Sequence, residues 1–221
     1  DKFQVIPYLR VIGDYGTAAQ IQRLLAIAEN MPGSSTFFTL LIRLLGWGKR
    51  HEFLPALERM LNTNTVYRQE LLGALAAHAP QKDVERIWLK GLDDPVAARV
   101  DDVINTVIQI QFEPSRLRIF LAAMNHSRPQ VRVAAMNYFN TFTGNLVELL
   151  DYALKKEFAE RLVQLLDDAD LDVRPAAPVK VCSILGRPVS PSPASGTPES
   201  DAEKDEREAL KTAALKWLSA R

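Results

Sequence analysis

Apolar residues recur every three or four positions through most of this chain, in segments separated by turns rich in glycine, proline and small polar residues. After Thr17, for example, Ile21, Leu24 and Leu25 fall on one face of a helix that the threonine can cap. Such spacing predicts amphipathic helices, each of which buries one apolar stripe. The sequence therefore predicts an all-α fold class.

The predicted helices follow one another in pairs. The turn within the first pair contains Gly13, the turn within the second pair contains Gly46, and the equivalent turn of the third pair lies at 77–80. These turns therefore recur at nearly equal intervals along the chain. The pairs are predicted at 2–12 with 17–28, 35–45 with 49–61, 66–77 with 82–92, 95–111 with 114–124, and 127–142 with 145–166, where the last segment is either one bent helix or two short ones.

A second landmark gives nearly the same period. The stretch 167–177 combines an acidic turn, an apolar residue followed by arginine, and small residues that lead into an apolar helix, and 130–135 repeats this order. Self-similarity at roughly 30 to 45 residues indicates a stacked-repeat architecture. The arginines that mark these stretches and two looser copies are Arg68, Arg99, Arg132 and Arg174, and the last interval is the longest of the three.

The composition changes after Gly186. Four prolines between 187 and 198 predict a flexible linker or loop over 187–200. A final amphipathic helix is predicted at 201–221, and the domain organisation is then a repeat array at 1–186, the linker and this C-terminal helix. We interpret the helix as packing on the last repeat, with binding to another molecule as the alternative. Its apolar stripe comprises Leu210, Ala213, Ala214, Trp217 and Leu218.

The arginine-bearing openings at 170–177 and 130–135, together with the glycine turns at 9–16 and 46–48, resemble the HEAT repeat family of α-solenoids. Armadillo-type repeats are a similar family and stay open as an alternative. The resemblance implies a right-handed α-α superhelix of about six HEAT-like helical pairs. It also implies that Asp170, Arg132 and Arg174 cap and pin neighbouring repeats rather than bind a ligand.

Composition and charge narrow the functional classes. Lys+Arg and Asp+Glu both total 27, so no overall field attracts nucleic acid or an anionic membrane. No apolar run is long enough to predict a membrane span. Cys182 is the only cysteine, which excludes an intrachain disulfide and a cysteine metal cluster; we interpret it as a small buried apolar residue.

Localisation stays open, with the cytoplasm favoured because the cysteine usage fits a reducing compartment. The chain begins at Asp1 with neither a signal peptide nor an initiator methionine. We therefore expect a segment of a longer protein, in which an upstream anchor or signal is possible.

Some enzymes resemble this architecture, among them the deoxyhypusine hydroxylases, which hold two irons through several His-Glu dipeptides. Here His51-Glu52 is the only such dipeptide, because His78 and His126 are followed by alanine and serine. Three such histidines do not supply a dinuclear iron shell. The sequence contains no recognised catalytic motif, so we predict no enzyme activity, no cofactor and no metal site.

HEAT-like DNA glycosylases are the other catalytic relatives, and they use a basic concave face with aromatic residues. Trp88 lies at a core position of its helix and is interpreted as core. Balanced charge and interleaved acids such as Glu85 favour an ordinary solvated face over a phosphate-binding one. The basic residues that would form the candidate partner-binding patch are Arg86, Lys90, Arg116 and Arg118 on second helices.

The sequence thus predicts a non-catalytic scaffold or adaptor that binds another protein or peptide on the concave surface of a solenoid. A nucleic-acid-binding, glycosylase-like protein is one alternative. A HEAT-like lyase or hydroxylase with a ligand in the groove is another.

Overall fold

A computed structural model describes residues 8, 11–12, 15–29, 54–63, 68–110, 112–139, 152–185 and 199–219. Over these ranges the chain forms ten α-helices and two 3-10 turns, and they contain no β-strand. The predicted all-α class is therefore confirmed for the described part of the chain. The predicted helices 2–12 and 35–45, His51-Glu52 and the linker at 187–198 lie wholly or mostly outside the described residues.

The chain divides into two compact units, residues 1–116 and 117–221, which we call the first and second unit. The division falls within a helix, α6. The helices that begin in the first unit are α1 (Ala18–Glu29), α2 (Leu54–Thr63), α3 (Arg68–His78), α4 (Gln81–Leu92), α5 (Ala97–Thr106), which is followed by a 3-10 turn (Val107–Gln109), and α6 (Glu113–Met124).

Helix α3 lies at the centre of packing in the first unit. It contacts α2, α5 and the 3-10 turn, and α4 packs against α5. Val84, Ile87, Trp88 and Leu92, which the helical spacing places inward, are all buried, so this stripe is confirmed. The indole Nε1 of Trp88 donates a hydrogen bond to the backbone carbonyl of Val103 at 3.1 Å, which ties α4 to α5 and satisfies the buried N–H.

Two glycines allow close contacts between these helices. A Cβ at Gly91 on α4 would lie 2.6 Å from Cγ2 of Val103 on α5. A Cβ at Gly73 on α3 would lie 2.3 Å from the side-chain oxygen of Gln109 in the 3-10 turn. The packing of α4 against α5 therefore requires that residue 91 has no side chain, whereas at Gly73 the near atom is the flexible end of Gln109.

Helix α5 ends earlier than its sequence pattern predicts. The apolar spacing predicts one helix over 95–111, but the α-helix ends at Thr106 and a 3-10 turn follows. The hydroxyl of Thr106 donates to the carbonyls of Asp102 and Val103, at 2.8 and 3.1 Å. This local bonding, followed by β-branched Val107 and Ile108, weakens the last helical turn. The prediction of one continuous helix is wrong for this reason.

Over its described residues, the second unit contains the C-terminal part of α6 and four further helices. Helix α9 contacts α7, α8 and α10, and α10 also packs against α8. The described part of the segment predicted as one bent or two short helices is a single helix, α8. These helices are α7 (Pro129–Phe139), α8 (Tyr152–Leu165), α9 (Ala177–Leu185), which follows a 3-10 turn (Arg174–Ala176), and α10 (Asp201–Ser219).

Each marker arginine contacts a residue that lies five to seven positions before it in the chain. In the first unit, Arg68 is buried and donates to the carbonyl of Leu61 at the end of α2. Its Nε lies 3.6 Å from Asp102 of α5. Burial lowers the pKa of Arg68 from its usual value, although Asp102 acts in the opposite direction. Arg99 makes a local ion pair with Asp94 at 3.6 Å.

The second unit repeats this arrangement. Arg132 donates to the carbonyls of residues 126 and 127, at 2.8 and 3.0 Å. Its other nitrogens bind both carboxylate oxygens of Asp168, at 2.7 and 2.9 Å. Arg174 donates to the carbonyl of Asp168 at 3.0 Å, and Asp170 caps the turn by accepting from the amide of residue 172 at 2.9 Å. Arg132, Arg174 and Asp170, for which we expect a structural role, thus bind turns of the protein itself.

Cys182 is buried on α9, as its sequence context predicts. None of the described helices has the length and apolarity that crossing a membrane requires.

Candidate interaction surfaces

Helix α4 is packed on one side and has one exposed face on the other. Arg86, Leu89 and Lys90, which we call the α4 outer face, lie opposite the buried stripe that holds Trp88 against α5. Leu89 is 40% exposed and stands between the two cations. The apolar spacing indicates that Leu89 is exposed, because this residue falls outside the inward stripe of α4. Sequence reasoning singled out the cations and missed it.

Arg86 is engaged by acidic side chains. Its guanidinium donates two hydrogen bonds to Glu58 of α2, one of them at 3.0 Å, and lies 3.3 Å from Asp83 one turn earlier. The hydrogen bonds that Arg86 donates to Glu58 are the main cause that raises the pKa of Arg86. A phosphate group would have to displace two carboxylates to bind here, which weakens the nucleic-acid interpretation of this residue.

The remaining basic residues lie in different settings. Lys90 is exposed at the end of α4. Arg116 is half-buried on α6, which adjoins α4 where the buried hydroxyl of Ser115 donates to Glu85 at 2.7 Å. Arg118 is exposed and belongs to the second unit. The structure therefore brings Arg86 and Lys90 together on one helix face, and the four residues do not form one site within a single unit.

A second candidate surface lies under α10. Five apolar side chains of α8 and α9 form a groove, which we call the C-terminal groove, and α10 occupies it. A cavity of about 10 Å³ remains between the groove and the helix. The groove comprises Ala159, Leu162, Val163, Val181 and Leu185, and α10 contributes Ala214, Trp217 and Leu218 to the same cavity.

Charged side chains hold the other half of α10. Asp167, in the turn after α8, accepts hydrogen bonds from Arg207 and Lys211, which are one helical turn apart. The bond from Lys211 to Asp167 raises the pKa of that lysine. Glu199 lies 3.0 Å from Nε of Arg207 and 3.8 Å from Arg174. Sequence reasoning assigned Asp167 only to the opening turn, because pairing with residues so far along the chain leaves no local pattern.

The described ranges contain no group of three or more metal-ligating side chains that could hold an ion. His126 lies in the turn before α7, where its Nδ1 accepts from the amide of Arg128 at 3.1 Å. His51-Glu52 falls outside the described residues.

No protein-family model matches this chain, and comparison with curated proteins and with solved structures finds no match either. The geometry of these two surfaces is therefore the basis for the functional interpretation.

Proposed function

We propose that this chain is a HEAT-like repeat array, a right-handed α-solenoid, that acts as a non-catalytic scaffold for another protein. One observation carries the proposal: at five places in the two units, a polar contact joins separate elements that lie about one repeat apart along the sequence. The pairs are Arg86–Glu58, Glu85–Ser115, Gln69–Asp102, Arg132–Asp168 and Arg161–Met124, with separations of 28, 30, 33, 36 and 37 residues.

A repeat array explains this recurrence, since each repeat contacts only its neighbours. A residue on one helix then meets the corresponding region of the next pair, about one period away. The contacts between the described helices follow the same rule, because each joins one described helix to the next or the next but one. These contacts are α2–α3, α3–α5, α4–α5, α7–α9, α8–α9, α8–α10 and α9–α10.

The α4 outer face supports the scaffold function. It combines an exposed leucine with Lys90, on a helix held rigid by Trp88 and its bond to Val103. Protein interfaces obtain most of their binding energy from a few anchors on such preformed surfaces. We therefore expect a protein partner that offers an apolar pocket for Leu89 and a carboxylate for Lys90.

Affinity capture with matched variants tests this function. The face variant carries Leu89→Asp and Lys90→Glu, and the control carries Lys82→Glu, an exposed charge reversal on the same helix. We expect the wild type and the control to capture the same partner in similar amounts. The face variant is expected to capture at least about tenfold less of it, which is the effect of losing one binding anchor.

Two results would contradict the proposal. Equal capture by wild type and face variant would exclude the α4 outer face as the partner site. Recovery that disappears after nuclease treatment and falls steeply with salt would instead identify a nucleic-acid-binding protein.

A further inference from the structure

The C-terminal groove has the properties of a helix-binding site. Its apolar side chains face the stripe of α10, of which Leu210 and Ala214 are buried, while most of the helix faces solvent. An amphipathic helix that lies with one face in an apolar groove is a recurring mode of peptide recognition, in which residues at i, i+3, i+4 and i+7 act as anchors. Here Arg207, Leu210, Lys211 and Ala214 have this spacing.

All the side chains through which α10 is capped and binds the groove belong to one short continuous segment. Its N-terminus is self-capped, because the amide and hydroxyl of Ser200 donate to Glu203 at 2.7 and 2.6 Å, and the amide of Glu203 donates back at 3.3 Å. The cations that bind Asp167 and the apolar anchors follow within the same helix. Residues 199–219 therefore constitute a complete ligand, and the groove with Asp167 constitutes its receptor.

The connection between receptor and ligand is long. Thirteen residues, 186–198, separate Leu185 from Glu199, whereas helix–helix connections within a bundle usually have about 2 to 8 residues. A chain of this length can span up to roughly 45 Å when extended. It therefore allows the ligand segment of one copy to reach the groove of another.

We propose that the C-terminal groove also accepts the C-terminal helix of a second copy, so that two chains exchange residues 199–219 in a reciprocal dimer. A second copy carries the same stripe and the same two cations, so every contact made within one chain can be made between two. The balance between the closed monomer and the exchanged dimer then depends on concentration, because the linker holds the helix at a high local concentration near its own groove. This inference concerns association between copies and is independent of the scaffold function.

A charge-exchange experiment tests the proposal without competition from the closed form. The groove variant carries Asp167→Arg, and the helix variant carries Arg207→Glu with Lys211→Glu. In each variant alone, residue 167 of the groove and residues 207 and 211 of the helix carry charges of the same sign. In the mixture, both combinations of groove and helix between the two chains are complementary, so we expect a one-to-one dimer by sedimentation or light scattering, with each variant alone monomeric.

The control mixes the groove variant with a chain that carries Lys204→Glu and Lys216→Glu, two exposed positions on the same helix. This chain keeps its own closed contacts, so we expect no dimer. A mixture of groove and helix variants that stays monomeric overturns the proposal. Dimers that form equally with the control overturn it as well, because association would then not depend on Asp167.

A labelled synthetic peptide of residues 199–219 identifies the source of the bound helix. We expect it to bind the helix variant and not the groove variant, measured by fluorescence anisotropy. Peptide binding without a dimer in the mixture would refute exchange between copies, because the groove would then accept this helix only from its own chain or as a free segment.

The wild-type chain provides the test if a charge variant loses its helical circular dichroism. Two preparations with different tags, incubated together at millimolar concentration, are expected to give dimers that carry both tags. Absence of such mixed dimers overturns the proposal.

Discussion

Arg132 shows how much structure one side chain organises in this protein. Its guanidinium binds two backbone carbonyls of the preceding turn and both oxygens of Asp168, and the two side chains are 11% and 9% exposed. Arg99 makes a single contact of 3.6 Å with Asp94 and is 30% exposed. Both arginines are marked by the same sequence pattern, but only the bonds of Arg132 are shielded from water.

Replacement of Arg132 by alanine is expected to lower the free energy of unfolding by about 2–4 kcal/mol, because it leaves Asp168 and two carbonyls without their partner in a partly buried site. Arg99→Ala, the matched control, is expected to change it by less than about 1 kcal/mol. Urea denaturation followed by circular dichroism gives both values. Equal losses in the two variants would contradict the assignment of Arg132 as the stronger of these two turn-binding arginines.

Lys180 on α9 is a buried charged residue, 3% exposed. Burial lowers its pKa from the ordinary 10.5 to about 8. Between about pH 8 and 10.5 the folded chain has therefore released a proton that the unfolded chain still binds, and the free energy of unfolding rises with pH in that window.

We expect Lys180→Met to abolish this rise and to be the more stable form at pH 7, because the variant has no buried ammonium group. The difference between the two proteins is expected to shrink by up to roughly 3 kcal/mol from pH 7 to 10. Thermal melts across this range measure it, with exposed Lys216→Met as the control. Parallel curves for wild type and Lys180→Met would refute the role of this lysine.

At the scale of elements, the helices were predictable because their apolar spacing is local information. Thr17 caps α1 as its position predicts, with its hydroxyl accepting from the amide of Gln20 at 3.3 Å, and the inward stripe of α4 is buried throughout. The early end of α5 was not predictable, because the hydroxyl of Thr106 and the packing of Gln109 over Gly73 compete with the helix. Spacing alone contains neither effect.

The contact between α4 and α5 leaves no room for a side chain at residue 91. Gly91→Ala is expected to destabilise the chain by about 1–3 kcal/mol despite the better helix propensity of alanine, because its Cβ would overlap the stiff, buried side chain of Val103. Gly73→Ala is the control and is expected to be tolerated, since the terminal amide of Gln109 can move aside. Denaturation midpoints of both variants measure the difference.

Restoration of stability by adding Val103→Ala to Gly91→Ala would identify the overlap as the cause. A Gly91→Ala protein as stable as the wild type would contradict it.

At the scale of the whole molecule, the sequence period is the basis on which a repeat array is proposed. A repeat period can be proposed from sequence because landmarks recur along the chain, whereas Asp167 as the anchor of α10 was not predictable. Its partners Arg207 and Lys211 lie beyond a segment of different composition, and their pairing depends on how α10 docks. The exposed Leu89 illustrates the same limit, because periodicity assigns it to the outer face without indicating what covers it.

The array proposal makes a measurable prediction for the molecule in solution. A compact globule of 221 residues has a radius of gyration of about 17 Å. A solenoid of stacked pairs is longer than it is wide, so small-angle X-ray scattering is expected to give a clearly larger value and an asymmetric distance distribution. A value near that of the globule would contradict the solenoid.

Since five polar contacts between elements within the units join residues 28–37 positions apart, the proposed array would resist mechanical load on the chain ends locally. Optical tweezers pulling on the termini would then detach helical pairs in succession instead of rupturing the molecule in one event. Each step would release roughly 32 residues, or about 110 Å of contour length.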